Sequence, residues 1–180
     1  MRFIATELPD AYVLELERRE DVRGFFARTW CRDEFGDHGL VPHLAQCSIS
    51  RNFLAGTLRG MHFQTAPHEE AKLVRCTSGS IFDVVVDLRA ESATYRSWFG
   101  AELSAENRLA LYVPEGCAHG FLTLTDDAEV AYQISEFHAP DAARGLRWND
   151  PAIGIEWPGE VVIINERDRS YPDLAPETAT

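Results

Sequence analysis

The sequence predicts an all-β protein, a sandwich or barrel with little helix. Three observations carry this. Apolar residues alternate with a period of two, the alternating segments are short and recur at regular spacing, and turn-forming residues separate them. Along the chain, "AYVLELE" (11–17) alternates, "GFFARTW" (24–30) is a second, aromatic extended stretch, and "TLRGMHFQ" (57–64) a third. "AKLVRCTSGSIFDVVVDLR" (71–89) reads as two strands joined at Ser78-Gly79, a strong turn pair. In its second half Phe82, Val84, Val86 and Leu88 fall on one face. Ile81, Asp83, Val85, Asp87 and Arg89 fall on the other, so one face is apolar and the other carries charge. "SWFGAEL", "RLALYVP", "GFLTLT" and "EVAYQISE" supply further strands. Only "CRDEFGDHG" (31–39) predicts a helix, and a short one. The Pro-, Gly-, Asn- and Asp-rich segment 139–160 predicts a long ordered loop.

Composition narrows the function. The chain has 180 residues, which suits a single domain spanning 1–180. With 45% hydrophobic and 26% charged residues it has a globular composition. No apolar run approaches a membrane span, and the N-terminus lacks the pattern of a secretory signal, so no membrane association and a cytoplasmic location are expected. The net charge of −12 argues against nucleic-acid binding, which needs a basic face. A small anionic ligand would instead need a few clustered arginines. The four cysteines, Cys31, Cys47, Cys76 and Cys117, form no CxxC pair and read as reduced thiols.

The histidines raise the question of a metal. "VPEGCAHG" sets Pro114, Gly116 and His119 in a P-x-G-x-x-H spacing, the second half-motif of the cupin fold, a double-stranded β-barrel of jelly-roll type. Metal-binding cupins carry H-x-H in the first half-motif, where this chain has His62-Phe63-Gln64. Gln64 is neutral and weakly basic, a poor ligand for a transition metal. His62, Glu70 and His119 make an imidazole-poor set. The expectation is no metal and no cofactor. His62 alone reads as a hydrogen-bonded core histidine. Its company reverses that reading, because Arg59, His62 and Gln64 on one strand beside Lys72 are costly to bury without a ligand.

Seven segments then occur in a recognisable order: "DVRGFFART", "GTLRGMHFQ", "KLVRCTSGSIFDVVVDLR", "LYVPEGCAHGF", "EVAYQIS", "RGLRWNDPAIGIEWP" and "NERD". Together they resemble the dTDP-4-dehydrorhamnose 3,5-epimerase family over about residues 1–174. The resemblance implies a cupin-type barrel, a homodimer, and action on a nucleotide-linked 4-keto-6-deoxyhexose in deoxysugar biosynthesis. It implies proton removal at C3 or C5, beside the C4 ketone, and proton return on the opposite face. Such chemistry needs a base near neutrality, a donor at the enolate oxygen and an acid across the ring.

By the same resemblance His62 is the base, Asp168 its carboxylate partner, Lys72 the group near the C4 oxygen and Tyr132 the acid. Asp83 is expected to orient Lys72 or His62. Arg23 and Arg59 are implied at the diphosphate, Gln46 and His119 at the sugar or nucleotide, and Phe26, Arg28, Ser48 and Arg167 elsewhere around the substrate. Arg59 and His62 are both expected to face the barrel interior. The chain departs from the family pattern at Arg28, Ser48, His138, Ala143 and Asn165, most of them contact positions and not proton-transfer groups. Two rival readings remain: a non-catalytic sugar-nucleotide-binding cupin, and a related 3,4-ketoisomerase.

Overall fold

The computed structural model describes residues 1–174. Fourteen strands and two short helices are described: β1 (Arg2–Ala5), β2 (Tyr12–Glu15), β3 (Arg19–Asp21), β4 (Gly24–Phe26), α1 (Arg32–Asp37), β5 (Gln46–Asn52), β6 (Thr57–Gln64), β7 (Lys72–Ser78), β8 (Ser80–Asp87), β9 (Trp98–Ser104), β10 (Ala110–Val113), β11 (Cys117–Thr123), β12 (Ala128–Ile134), β13 (Ala143–Gly145), β14 (Ile163–Ile164) and α2 (Glu166–Arg169). One sheet has the order β1-β2-β10-β7-β12-β5. The second has the order β13-β6-β11-β8-β9, with β14 pairing β6 in parallel. The two sheets face each other as the walls of the cupin-type barrel.

The alternation in β8 shows how the layers form. Ile81 and Val85 point into the interior core, where they join Val74 and Leu111 of the first sheet and Phe121 and Leu103 of the second. Val84 and Val86 point outward, yet both are fully buried. Leu146, Ile153, Ile155 and Trp157, from the loop between β13 and β14, pack over them. That loop is ordered because its apolar residues cover the outer face of the second sheet. Its turns are fixed locally: Trp157 Nε1 donates to the Trp148 carbonyl at 2.9 Å, and Asp150 Oδ1 accepts from the Ala152 N–H at 2.8 Å. The opposite outer face, on β2, β7 and β10, is covered by Phe35 of α1 and by Leu40. At the predicted turn, Gly79 has φ +70°, and a Cβ there would stand 2.3 Å from Thr125 Oγ1. Glycine is required on both counts.

The structure corrects four expectations. "GFFARTW" is strand only over β4, which pairs with β3 in a two-stranded hairpin apart from the main sheets. Phe26 there remains 71% exposed, so no core anchors the rest as strand. Segment 139–160 is not all loop, since β13 adds to β6 at the sheet edge. "NERD" forms α2, whose N-cap Asn165 accepts from the Asp168 N–H at 2.7 Å. Strands β1 and β5 were not anticipated; β5 is polar and gains its conformation by pairing with β12 from Gln46↔Ile134 to Asn52↔Ala128.

Candidate active site

A cavity of about 340 Å³ opens between the two sheets. Gln46, Ser48 and Ser50 of β5, Lys72 of β7 and Tyr132 of β12 line it from the first sheet. Arg59, His62 and Gln64 of β6 and His119 and Phe121 of β11 line it from the second. Arg167 of α2 and the loop residue His138 also border it.

Arg59 and His62 are three residues apart, and in a regular strand they would face opposite ways. The β6–β11 ladder contains a register shift between His119 and Phe121, so His119 pairs with His62 but Phe121 pairs with Arg59. This irregularity resets the phase of β6 and brings both side chains to the cavity. It depends on Gly60, whose φ is +134° and whose missing Cβ would lie 2.6 Å from Gly120 Cα. No residue with a side chain fits there.

The two strand histidines of the cavity, His62 and His119, are each backed by a buried carboxylate. His62 Nε2 is 2.8 Å from Asp168 Oδ1, and Asp168 Oδ2 accepts from the Gly60 N–H at 3.0 Å. One carboxylate therefore holds both the imidazole and the bulge. Burial pushes the Asp168 carboxyl up, but the hydrogen bonds from His62 and Gly60 and the charge of Arg167 outweigh it, and the net shift is downward. An ionised carboxylate only accepts, so the His62 proton sits on Nε2 and leaves Nδ1 free as a base. His119 Nε2 is 2.7 Å from Asp83 Oδ1. This corrects the expectation for Asp83, which hydrogen-bonds His119 and neither Lys72 nor His62. Asp83 is fully buried and its Oδ2 has no hydrogen bond. Burial raises its pKa, against the opposing pull of His119 and Lys72.

Across the cavity, the Tyr132 hydroxyl is 3.0 Å from Ser50 Oγ. Burial raises its pKa far above the usual phenol range, so the hydroxyl keeps its proton at neutrality. Lys72 Nζ, largely buried, lies 2.8 Å from Glu70 Oε1 and donates a long contact, 3.4 Å, to the His62 carbonyl. Arg59 Nε donates to Asn52 Oδ1 at 2.7 Å, which fixes the guanidinium while its remaining N–H groups stay available. Gln64 is structural. Its amide bonds the His68 and Phe137 carbonyls and accepts from the Ala139 N–H. Gln46 Oε1 accepts from the His138 N–H at 2.7 Å, so two glutamines hold the loop at the cavity mouth.

Arg23, Phe26 and Arg28 lie outside this cavity. Arg23 is solvent-exposed and paired with Asp21 in the β3–β4 hairpin, and Arg28 pairs with Glu34 at 2.7 Å. Phe26 and Arg28 border a separate depression beside Met1 and Glu34. The sequence reading missed Ser50 and the roles of Asp83 and Glu70. Asp83 carried a signal, as a carboxylate alternating with apolar residues on an inward face; Ser50 carried none. Among the described residues no group of three or more His, Cys, Asp or Glu side chains is placed to hold a metal ion. The arrangement can move a proton: a carboxylate-backed imidazole on one wall, a protonated phenol on the other, and a cation at the side.

Comparison with known proteins agrees with this fold. A family profile described as dTDP-4-dehydrorhamnose 3,5-epimerase matches residues 5–176. A protein of that name from Methanothermobacter thermautotrophicus is 45% identical over 176 residues, covering 96% of this chain and 94% of the relative. The crystal structure of the dTDP-4-dehydrorhamnose 3,5-epimerase of Elizabethkingia anophelis superposes with a TM-score of 0.94 at 38% identity, covering 96% of each chain. That of Bacillus anthracis, with TDP and PPi bound, gives 0.91 at 39% identity, covering 96% of this chain and 99% of the other.

Proposed function

This chain belongs to the dTDP-4-dehydrorhamnose 3,5-epimerase family, and we propose that it inverts C3 and C5 of a dTDP-linked 4-keto-6-deoxyhexose. The observation that carries this reading is the placement of His62–Asp168 and Tyr132 on facing sheets of one cavity. His62 Nδ1 removes the proton from the carbon beside the C4 ketone. Electrons move to the ketone oxygen, where the Lys72 ammonium stabilises the enolate. Tyr132 returns a proton from the opposite wall, and the carbon is inverted. Asp168 holds the imidazole tautomer and stabilises the imidazolium that forms. His119, Gln46 and Ser48 contact the sugar and nucleotide from the cavity walls. Arg59 and Arg167 border the same cavity and bind the diphosphate as guanidinium forks.

The protein acts as a homodimer in the cytoplasm. Val22 and Phe26 of the hairpin and Ile49 of β5 are largely exposed in the single chain and need cover. A second copy laid over the cavity mouth would also bring Arg23, Phe26 and Arg28 to the substrate, which they do not reach within one chain. Among the described residues no helix is long and apolar enough to cross a membrane.

The test is incubation with a dTDP-4-keto-6-deoxyhexose in heavy water. Deuterium is expected at both C3 and C5. No incorporation would mean a binding protein, and incorporation at C3 alone would overturn the two-centre reading. Sedimentation at micromolar concentration checks the dimer.

A further inference from the structure

The Lys72 ammonium is set in the cavity wall with its side chain only 9% exposed. A lysine stem has four rotatable carbons, and a buried ammonium needs a hydrogen-bonded counter-charge. Asp83 acts on Lys72 electrostatically, but its hydrogen bond is spent on His119. The contact to the His62 carbonyl, at 3.4 Å, is too long to fix a position. Among the described residues, Glu70 is the one carboxylate within ion-pair distance, at 2.8 Å, with its side chain 12% exposed.

The backbone beneath Glu70 is itself held. Ala71 N–H donates to Ser135 Oγ at 2.8 Å, and the Ser135 N–H donates to the Ala71 carbonyl at 3.0 Å. The start of the segment is tied through Gln64 to the His68 carbonyl. Residues 70 and 72 flank this clamped alanine, Lys72 as the first residue of β7 and Glu70 just ahead of it, and their side chains meet at 2.8 Å. Glu70 also borders the cavity, where a fixed negative charge repels an anionic substrate and opposes the charge of an enolate. A carboxylate in that place is unfavourable as a phosphate contact, so its contribution must come through the cation it holds.

From this geometry, and resting on the epimerase reading above, we infer that Glu70 is a positioning residue whose carboxylate fixes the Lys72 ammonium at one point of the cavity wall. The enolate oxygen then meets a preset donor and not a side chain that must first find its rotamer. Truncating Glu70 leaves the Lys72 side chain without its anchoring partner, which costs in the transition state and little in substrate binding.

The experiment is a kinetic cycle on the full chain with Glu70→Ala, Glu70→Gln, Lys72→Met and Glu70→Ala/Lys72→Met. Glu70→Ala should lower kcat by ~10–10²-fold, since misplacing a catalytic group by about 1 Å can cost 10²-fold. KM should stay within about three-fold, the signature of an interaction made only in the transition state. Glu70→Gln keeps an acceptor oxygen and should recover most of the rate, which also serves if the alanine variant folds poorly. With Lys72 already replaced, adding Glu70→Ala should cost less than about two-fold, because the group that Glu70 positions is gone. Effects that multiply in the double variant, or a rise in KM at constant kcat, would overturn the assignment. If the wild type incorporates deuterium while the cycle multiplies, only the Glu70 role falls. If the wild type incorporates none, the epimerase reading falls and takes this inference with it.

Discussion

Replacing Asp168 by asparagine isolates the tautomer argument, because it preserves shape and changes only what the side chain can donate and accept. In the native site both carboxylate oxygens accept, one from the Gly60 N–H and one from His62 Nε2. An asparagine has a single acceptor oxygen. The Gly60 N–H has no alternative tautomer and claims that oxygen. The amide NH2 is then turned toward His62 Nε2, which can pair with it only as an acceptor. The ring proton must move to Nδ1, the nitrogen needed as a base. A positioned general base contributes ~10²–10⁴-fold, and the wrong tautomer forfeits most of it. That corresponds to about 2.7–5.4 kcal/mol in the barrier. The assay is deuterium incorporation at C3 and C5 alongside steady-state kinetics, with KM expected to change little. Thermal denaturation should show only a small loss, since the Gly60 bond survives. Exchange within ten-fold of the wild type would refute the dyad argument, as would a large KM effect at constant kcat.

Tyr132→Phe removes only the hydroxyl bonded to Ser50 Oγ, so exchange at C3 should persist while inversion stalls; near-native product formation would remove Tyr132 from the mechanism. Lys72→Met should lower kcat by ~10²–10³-fold as the loss of an oxyanion donor, whereas Arg59→Ala should act mainly on KM by removing uniform phosphate binding. If the two patterns came out reversed, the two roles would have to be exchanged. Turnover should survive EDTA, and loss on chelation restored by one added divalent ion would show a metal requirement. Asp87→Asn tests stability apart from the cavity. The carboxylate is fully buried and accepts from Arg89, Ser92 and Thr94, which hold its pKa well below the usual range against the opposing push of burial. Because the folded value is depressed, the stabilisation is present above the unfolded value near 4 and is lost as pH falls through the folded one. Urea titrations should therefore show a deficit of about 3 kcal/mol at pH 7 that shrinks toward pH 3; a pH-independent deficit would contradict the assignment.

The all-β class was legible because short segments of two-residue apolar alternation recur along the chain between turn-forming residues. The division of β8 into an Ile81-x-Asp83-x-Val85 face and a Phe82-x-Val84-x-Val86 face can be read from the letters alone, whereas the packing decides which of them turns inward. What alternation could not show was the phase of β6. A strict period puts Arg59 opposite His62, and only the register shift at Gly60 brings them together. Nor could it find β5, whose Cys47, Ser48, Ser50 and Arg51 give no apolar rhythm and whose strand state comes from β12. The placement of Asp168 was legible through family resemblance, but the capped turn that aims it depends on a tertiary contact with β6. Arg23, Phe26 and Arg28 mark a different limit: motif order along the chain does not say whether a residue reaches the cavity of its own chain.

The reaction explains why two walls are needed. Inversion at a carbon requires removal of a proton from one face of the sugar and return to the other, so a single acid–base residue on one surface would restore the starting configuration. A two-sheet barrel meets this requirement with rigid elements. His62 stands on β6 with Asp168 behind it, and Tyr132 stands on β12 with Ser50 beside it. Neither wall can approach the other without compressing the interior core of Val74, Val85, Leu111 and Phe121, all buried to 1% exposure or less. The core thus sets the gap between the walls, and the same apolar packing that stabilises the fold fixes the separation of His62 and Tyr132, the base and acid of the proposed mechanism.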